Sequence, residues 1–315
     1  MSNLEARPVE NPCGATDNPD MVLLEERDVP LGGVRAMHVS RTLPQRTIPT
    51  VGAWCFLDRF GPEHTDMLVL PHPHTGLQTV TWPLAGEIRH RDSLGSDVLV
   101  RPSQLNLMTA GPGIAHSEVS QGDSPLLHGL QLWVALPDSG NGIAPAFEQH
   151  ADLPVAEGDG WRALVALGDL DGAASPATTF TPLVGAQLDL DPGATAQIGL
   201  RPGFEHAVLV LDGAFEVAGT PLAPGPLLYL GLGRDRLDLA SATGGRAFLI
   251  GGEPFREDLV MWWNFIARSH DEIVAAREAW ERDDTTRFPT VPGHGTDRIP
   301  APPIPPLRLT PRRRG

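Results

Sequence analysis

The sequence predicts an all-β chain made of two tandem barrels and closed by one C-terminal helix. Three observations predict it. Short apolar runs, broken by Gly and Pro, follow one another from Met21 onward, and helical periodicity is nearly absent before residue 255. The second half echoes the first: Leu84-Ala85-Gly86-Glu87 resembles Leu211-Asp212-Gly213-Ala214, and Pro102 to Gly111 resembles Pro224 to Gly233. Helical spacing then appears near the end, after a capping-box pattern.

Residues 1–20 are acidic and rich in Pro and Asn, and read as a disordered leader. The first barrel is assigned to 21–137. Val34 to Val39 alternates as a half-buried strand does, and Val51 to Phe56 is a more apolar run. Gln78 to Leu84 runs into a turn at Ala85-Gly86, from which Glu87 to Arg91 leaves as the partner strand. Asp97 to Val100 and Leu105 to Ala110 follow, then the tight bend Gly111-Pro112-Gly113. His128 to Leu136 puts Leu130, Leu132 and Val134 on one face, with Gln131 and Trp133 on the other. Residues 138–160, rich in Pro, Gly and acids, read as a linker that reaches toward the other half. The second barrel is assigned to 161–268, with strands at Trp161–Leu167, Ala186–Leu190, Ala207–Leu211 and Leu227–Leu230. Ser269-x-x-Glu272 opens the helix, assigned to 269–287, with Ile273, Ala276 and Trp280 at helical spacing. Residues 288–315 form a Pro-rich tail, packed along the surface or free, that ends in Arg312-Arg313-Arg314-Gly315.

Composition excludes several kinds of function. A net charge of −15 and a pI near 5.1 repel phosphate backbones, which argues against direct nucleic-acid binding. All 24 obligate cations are Arg, so Schiff-base chemistry on lysine is out of reach. Cys13 and Cys55 are too few for a disulfide framework or a thiolate zinc cluster, and read as inert thiols. No signal-peptide pattern opens the chain, and no run reaches membrane-spanning length. The expectation is a soluble cytoplasmic protein with no membrane partner.

The chemistry concentrates in two short stretches. In Pro71-His72-Pro73-His74-Thr75-Gly76, the two histidines share a face if the stretch is a strand. In Gly113-Ile114-Ala115-His116-Ser117-Glu118, His116 and Glu118 have the same spacing. Two matched pairs on separate strands predict one divalent transition-metal site with ligands His72, His74, His116 and Glu118. Such a nitrogen-rich set suits Fe, Mn, Ni, Cu or Zn rather than Mg or Ca, and leaves one or two positions open on an octahedral ion. Neutral imidazoles are required, so metal affinity is expected to fall below about pH 6.5, the unperturbed His value. Gln78 is the nearest candidate in sequence for fixing a ligand ring. The other histidines read as structural or exposed, His90 less firmly because it lies near the site. By the internal repeat, the counterparts of the ligands fall near Gly199, Arg201, Asp238 and Ala240, where no ligand set can be assembled. Only the first barrel is therefore expected to hold metal.

At these residues the chain resembles the pirin family of the cupin superfamily. The likeness rests on Pro-His-Pro-His-x-Gly at Pro71 to Gly76 with Thr79-Val80-Thr81, and on Met108 to Glu118. Phe56 to Pro62, Gly252-Glu253-Pro254 and Trp262-Trp263-Asn264-Phe265 add to it. It spans about residues 21 to 285. It implies two jelly-roll-like cupin barrels, with Fe(II) held in the first by His72, His74, His116 and Glu118 and no metal in the second. Gln78 stands where many pirins and single-barrel cupins carry Glu, so Glu118 would supply the carboxylate.

Some pirins are similar to quercetin 2,3-dioxygenases, which implies O₂-dependent opening of a flavonol ring with loss of carbon monoxide. Glu118 would then be the catalytic base toward the 3-hydroxyl. Phe56, Leu107 and Met108 are candidates for an apolar mouth, although ordinary barrel core is the favoured reading of all three. The alternative implied by the resemblance is a non-enzymatic, metal- or redox-dependent regulator that binds a transcription factor or a metabolic enzyme.

Overall fold

The computed structural model describes residues 21–30, 38–138 and 142–311. The leader with Cys13, most of the Val34–Val39 run, the middle of the segment after Pro137 and the terminal arginines lie outside the described residues.

The chain forms two cupin barrels, each made of a larger and a smaller sheet. In the first, the larger sheet runs Ala146–His150, Leu105–Thr109, Leu77–Ala85, Leu126–Ala135, Trp54–His64, His38–Leu43, Arg27–Pro30. Its smaller sheet runs Leu68–His74, Ile114–Ser120, Ile88–Asp92, Asp97–Val100. The second barrel repeats the plan. Its larger sheet runs Val22–Leu24, Leu227–Gly231, Glu205–Gly213, Gly245–Gly252, Leu183–Leu190, Trp161–Leu170, Val155–Gly158, and its smaller one Thr195–Gly199, Arg236–Ala240, Phe215–Val217, Thr220–Leu222. Each larger sheet gains an edge strand from chain outside its own repeat. Val22–Leu24, before the first barrel, pairs with Leu227–Tyr229 of the second, while Ala146–His150 pairs with Leu105–Thr109 of the first.

Side-chain alternation explains how the barrels join. Leu130, Leu132 and Val134 point out of the first barrel with Val80 and Trp82, and pack in one core with Leu209, Leu211, Phe248 and Ile250 of the second. Gln131 and Trp133, between them, face the first barrel's interior. Buried polar groups at this seam are satisfied across it. Trp54 Nε1 donates to the carbonyls of Val184 and Gly251, each at 3.1 Å, and Trp82 Nε1 donates to Gln187 Oε1 at 3.0 Å. The Glu205 carboxylate accepts from Gly52 N at 2.7 Å and from the Tyr229 hydroxyl at 3.1 Å.

The C-terminal elements cover the first barrel. A hairpin of Val260–Trp262 and Phe265–Ala267 leads to the helix His270–Glu281. Ser269 caps that helix: its hydroxyl accepts from Glu272 N, and Ile273, Ala276 and Trp280 are buried, as their spacing predicts. The described part of the Pro-rich tail, to residue 311, packs rather than hanging free. Phe288, Val291 and Ala301 join the helix in one apolar cluster, and Ile299 N donates to Pro71 O at 2.8 Å. Two motif glycines are required by this cover. A Cβ on Gly76, whose φ is +70°, would stand 2.2 Å from Ile266 O, and one on Gly113 would stand 2.6 Å from Arg287 O. Among the described residues no helix is long and apolar enough to cross a membrane.

Candidate metal centre

Strands Leu68–His74 and Ile114–Ser120 are antiparallel neighbours, with His116 opposite His72 and Ile114 opposite His74. Inward alternation at these positions brings the three imidazoles together. Their ligand nitrogens all lie within 4.8 Å of one another, and the Nε2 atoms of His74 and His116 are 3.1 Å apart. Two nitrogens in neighbouring positions on one first-row ion, each bound at about 2.1 Å, stand about 3.0 Å apart, so the donor set fits such an ion. All three rings are buried, at most 1 % exposed. Burial is the main cause that holds each pKa well below 6.5, with mutual repulsion adding to it. The rings are therefore neutral, the form that binds metal. The expected loss of affinity below pH 6.5 moves to lower pH for the same reason.

Glu118 stands outside this tight group. A register shift in the strand pairing falls between His116 and Glu118, and opposite Glu118 lies Val69 rather than another ligand. Glu118 is buried, with Oε1 3.5 Å from Thr81 Oγ1; that hydroxyl donates to Gln131 Oε1 at 3.0 Å.

Two of the ligand rings, His72 and His116, have outer-nitrogen partners other than the one expected from sequence, whereas His74 Nδ1 has no hydrogen-bond partner among the described residues. His72 Nδ1 donates to Leu70 O at 3.0 Å, and the backbone of Asn264, at the tip of the C-terminal hairpin, lies against His74. His116 Nδ1 faces His90 Nδ1 at 3.4 Å. Gln78 does not serve the site. Its Nε2 donates to Thr109 Oγ1 and Thr178 O, away from the histidines. The turn at Gly76 separates it from His74, so a four-residue spacing no longer preserves the face. His90 and its neighbour Asp92 carry the i, i+2 spacing that singled out the ligand pairs, and that spacing was the signal available for them.

Aromatic side chains wall the interior. The Trp133 ring meets His74 edge-on at 5.3 Å and stacks on Phe56 at 4.0 Å. Of the three mouth candidates, Phe56 and Met108 belong to the first barrel's core, and Leu107 belongs to the core between the barrels. Cys55 is buried with its thiol donating to Trp133 O at 3.5 Å, and burial pushes its pKa up, as an inert thiol requires.

Comparison with known proteins agrees with the geometry. Residues 36–134 match the Pirin family model, and 185–288 match that of the pirin C-terminal cupin domain. The chain belongs to the pirin family. A Pseudomonas aeruginosa pirin relative named "Putative quercetin 2,3-dioxygenase" is 45% identical over 89% of either chain. The Caulobacter vibrioides "Pirin-like protein" is 35% identical over 78% of this chain and 88% of its own. The crystal structure of quercetin 2,3-dioxygenase from Acinetobacter baumannii is 40% identical, with a TM-score of 0.86 over 92% of this pirin and 97% of that chain. A bacterial pirin from Escherichia coli, solved in complex with nickel(II), shares the fold at a TM-score of 0.61 and 18% identity, over 75% of this chain and 100% of that one.

Proposed function

We propose that this pirin holds Fe(II) through His72, His74 and His116, with Glu118 as the carboxylate ligand, and acts as a dioxygenase on quercetin-type flavonols. The observation that carries the reading is the buried, neutral three-histidine cluster, in a chain whose relatives at 45% and 40% identity bear quercetin 2,3-dioxygenase names. When bound, the ion supplies Lewis acidity toward the flavonol 3-hydroxyl and a redox partner for O₂. The protein's part is to bind, to exclude water and to move one proton. Glu118 accepts the 3-hydroxyl proton, and Thr81 and Gln131 stand beside it to hold the carboxyl group afterwards. The stacked Phe56–Trp133 pair gives the interior a flat apolar wall. The net reaction adds O₂ to the flavonol, opens its central ring and releases carbon monoxide.

One observation favours a second reading. The three rings are at most 1 % exposed, so a flavonol reaches them only after the covering elements move. A buried metal that alters the surface a partner protein reads needs no such opening. Oxygen uptake separates the two. Protein purified without air and loaded with Fe(II) is mixed with quercetin, beside a His116→Ala variant. Uptake with carbon monoxide release, absent in the variant, is the expected result. Tightly bound metal without uptake transfers the weight to a regulator of a transcription factor or metabolic enzyme. Failure of the unmodified protein to bind any metal removes the basis of both.

A further inference from the structure

We infer that Asp92 and His90 are positioning residues that fix the tautomer of His116, so that its Nε2 lone pair faces the metal position; this rests on the reading of the cluster as a metal site. Asp92 lies in the strand beside the one that carries His116, with its side chain fully buried. One carboxylate oxygen, Oδ1, is occupied by two backbone donors, Leu94 N at 2.9 Å and Ser96 N at 3.0 Å. The other, Oδ2, lies 3.2 Å from His90 Nε2. A carboxylate only accepts, so His90 must carry its proton on Nε2. In a neutral imidazole the other nitrogen is then an acceptor. His90 Nδ1 faces His116 Nδ1 at 3.4 Å, so His116 must donate there from Nδ1–H. Its remaining nitrogen, Nε2, becomes the one with the lone pair, and it is the atom 3.1 Å from His74 Nε2 in the cluster.

Each link leaves one assignment for the next, and the His90 ring is held so that the chain of bonds keeps its direction. Phe147 stacks on it, with ring centroids 4.4 Å apart and an angle of 18° between the planes. Phe147 comes from Ala146–His150, the edge strand supplied by the segment between the barrels. Of the other two ligand rings, His72 rests on Leu70 O, and His74 Nδ1 has no hydrogen-bond partner among the described residues. His116 is oriented through a second ring and a carboxylate, the arrangement that fixes ring direction and raises ligand basicity in metal sites.

Asp92→Asn is the informative change because its outcome is set by the two backbone donors. The amide oxygen must stay on Leu94 N and Ser96 N, so the amide NH₂ takes the place of Oδ2 and donates to His90 Nε2. His90 then carries its proton on Nδ1, His116 accepts on Nδ1, and its own proton moves to Nε2, where it blocks coordination. The experiment reads nitrogen-15 shifts of the histidine rings in the metal-free protein, and Ni(II) affinity by calorimetry. In the unmodified protein His90 is expected as the Nε2–H tautomer and His116 as Nδ1–H. In Asp92→Asn both are expected to reverse, with Ni(II) affinity down by about 10- to 100-fold. His90→Gln can accept from His116 and donate to Asp92 through one amide, and is expected to restore affinity that His90→Leu loses. An Nε2–H tautomer of His116 in the unmodified protein overturns the inference, and so does unchanged affinity in a folded Asp92→Asn. The ring shifts are read without metal, so they decide the inference even if the unmodified protein binds no Ni(II); that result would instead remove the metal reading.

Discussion

The two barrels share a strand order and differ in what their smaller sheets point inward. In the first, the paired strands Leu68–His74 and Ile114–Ser120 carry the three histidines. In the second, the corresponding strands Thr195–Gly199 and Arg236–Ala240 bury Ala196, Ile198, Leu237 and Leu239 in an apolar core. Neighbouring interior positions follow suit: Thr79 and Thr81 on Leu77–Ala85 give way to Val208 and Val210 on Glu205–Gly213. The outward faces of the larger sheets are apolar in both barrels, since they form the common core between them. The fold is thus carried by one set of faces and the chemistry by another, and one barrel loses its chemistry without losing its architecture. Polar groups remain in the second barrel beside a cavity of about 140 Å³ that Asp169, Arg201, Phe204 and His206 line, but there Arg201 is paired with Asp169 at 2.5 Å.

Removing a histidine from each barrel breaks the comparison most sharply. His74→Ala is expected to lower affinity for Ni(II) or Fe(II) by more than about 100-fold, since loss of a direct ligand exceeds the effect of losing a supporting group. His206→Ala, in the second barrel, is expected to leave affinity and a stoichiometry of one metal per chain unchanged. Elemental analysis after dialysis, with calorimetric titration, reads both. Metal lost from His206→Ala, or two metals per chain, would contradict the assignment to the first barrel alone.

The same contrast shows what the sequence makes legible. Leu130, Leu132 and Val134 alternate with Gln131 and Trp133, so the burial of both faces could be read before the fold was known. The convergence of His72, His74 and His116 was legible for the same reason, since a strand repeats its face every second residue; Glu118, read as the fourth ligand from the same spacing, stands outside the three-histidine group. The repeat also pointed to two barrels, the number that the sheets form. Its register was less accurate, because the positions read as ligand counterparts, Gly199 and Asp238, are one residue from the inward-facing Ile198 and Leu237. A slip of one exchanges the faces of a strand. Gly245–Gly252 escaped notice because a central strand buried on both faces shows an apolar run without alternation. The exchange of edge strands left no trace in composition: nothing in Val22-Leu23-Leu24 says that its partner is Tyr229-Leu228-Leu227.

The seam between the barrels tests whether the second barrel serves as structural support to the first. Trp54 is fully buried, and its indole bonds to Val184 and Gly251 cross from one barrel to the other. Trp54→Ala opens a cavity and leaves two carbonyls without that donor. A cost of about 3–5 kcal/mol is expected in denaturant unfolding, the range for large aromatic truncations in cores. Trp54→Phe keeps most of the apolar volume and should cost less. Equal costs would mean that the hydrogen bonds, not the packing, dominate the seam.

Acid should weaken both barrels, and the sign follows from burial. The folded pKa values of His72, His74 and His116 lie well below the unfolded value near 6.5, and burial likewise lowers that of His206 to about 4. Between those values the unfolded chain binds more protons than the folded one, so stability rises with pH and is lost as pH falls below about 6.5. Melting temperatures of the metal-free protein from pH 7.5 to 5 should therefore decline. His206→Leu should reduce the slope, and replacing a cluster histidine by Gln should also reduce it. Metal affinity, by contrast, should hold as pH passes through 6.5, because the folded rings are already neutral. A tenfold loss of affinity between pH 7 and 6 would show that the rings titrate near their ordinary value.

The smallest expected effect concerns the tail, which packs on the first barrel. His294 Nε2 lies 2.8 Å from Ser117 Oγ, on the outer face of the strand that carries His116 and Glu118 inward. The ring is partly buried, and the bond ties the tail to the metal-bearing sheet without touching the ligands. His294→Ala should cost about 0.5–1.5 kcal/mol, the net worth of one such bond. Calorimetric affinity for Ni(II) should stay within twofold, because the backbone of Ile114–Ser120 is also held by its two strand neighbours. A much larger loss of affinity would show that the tail, and not the strand pairing alone, sets the position of His116.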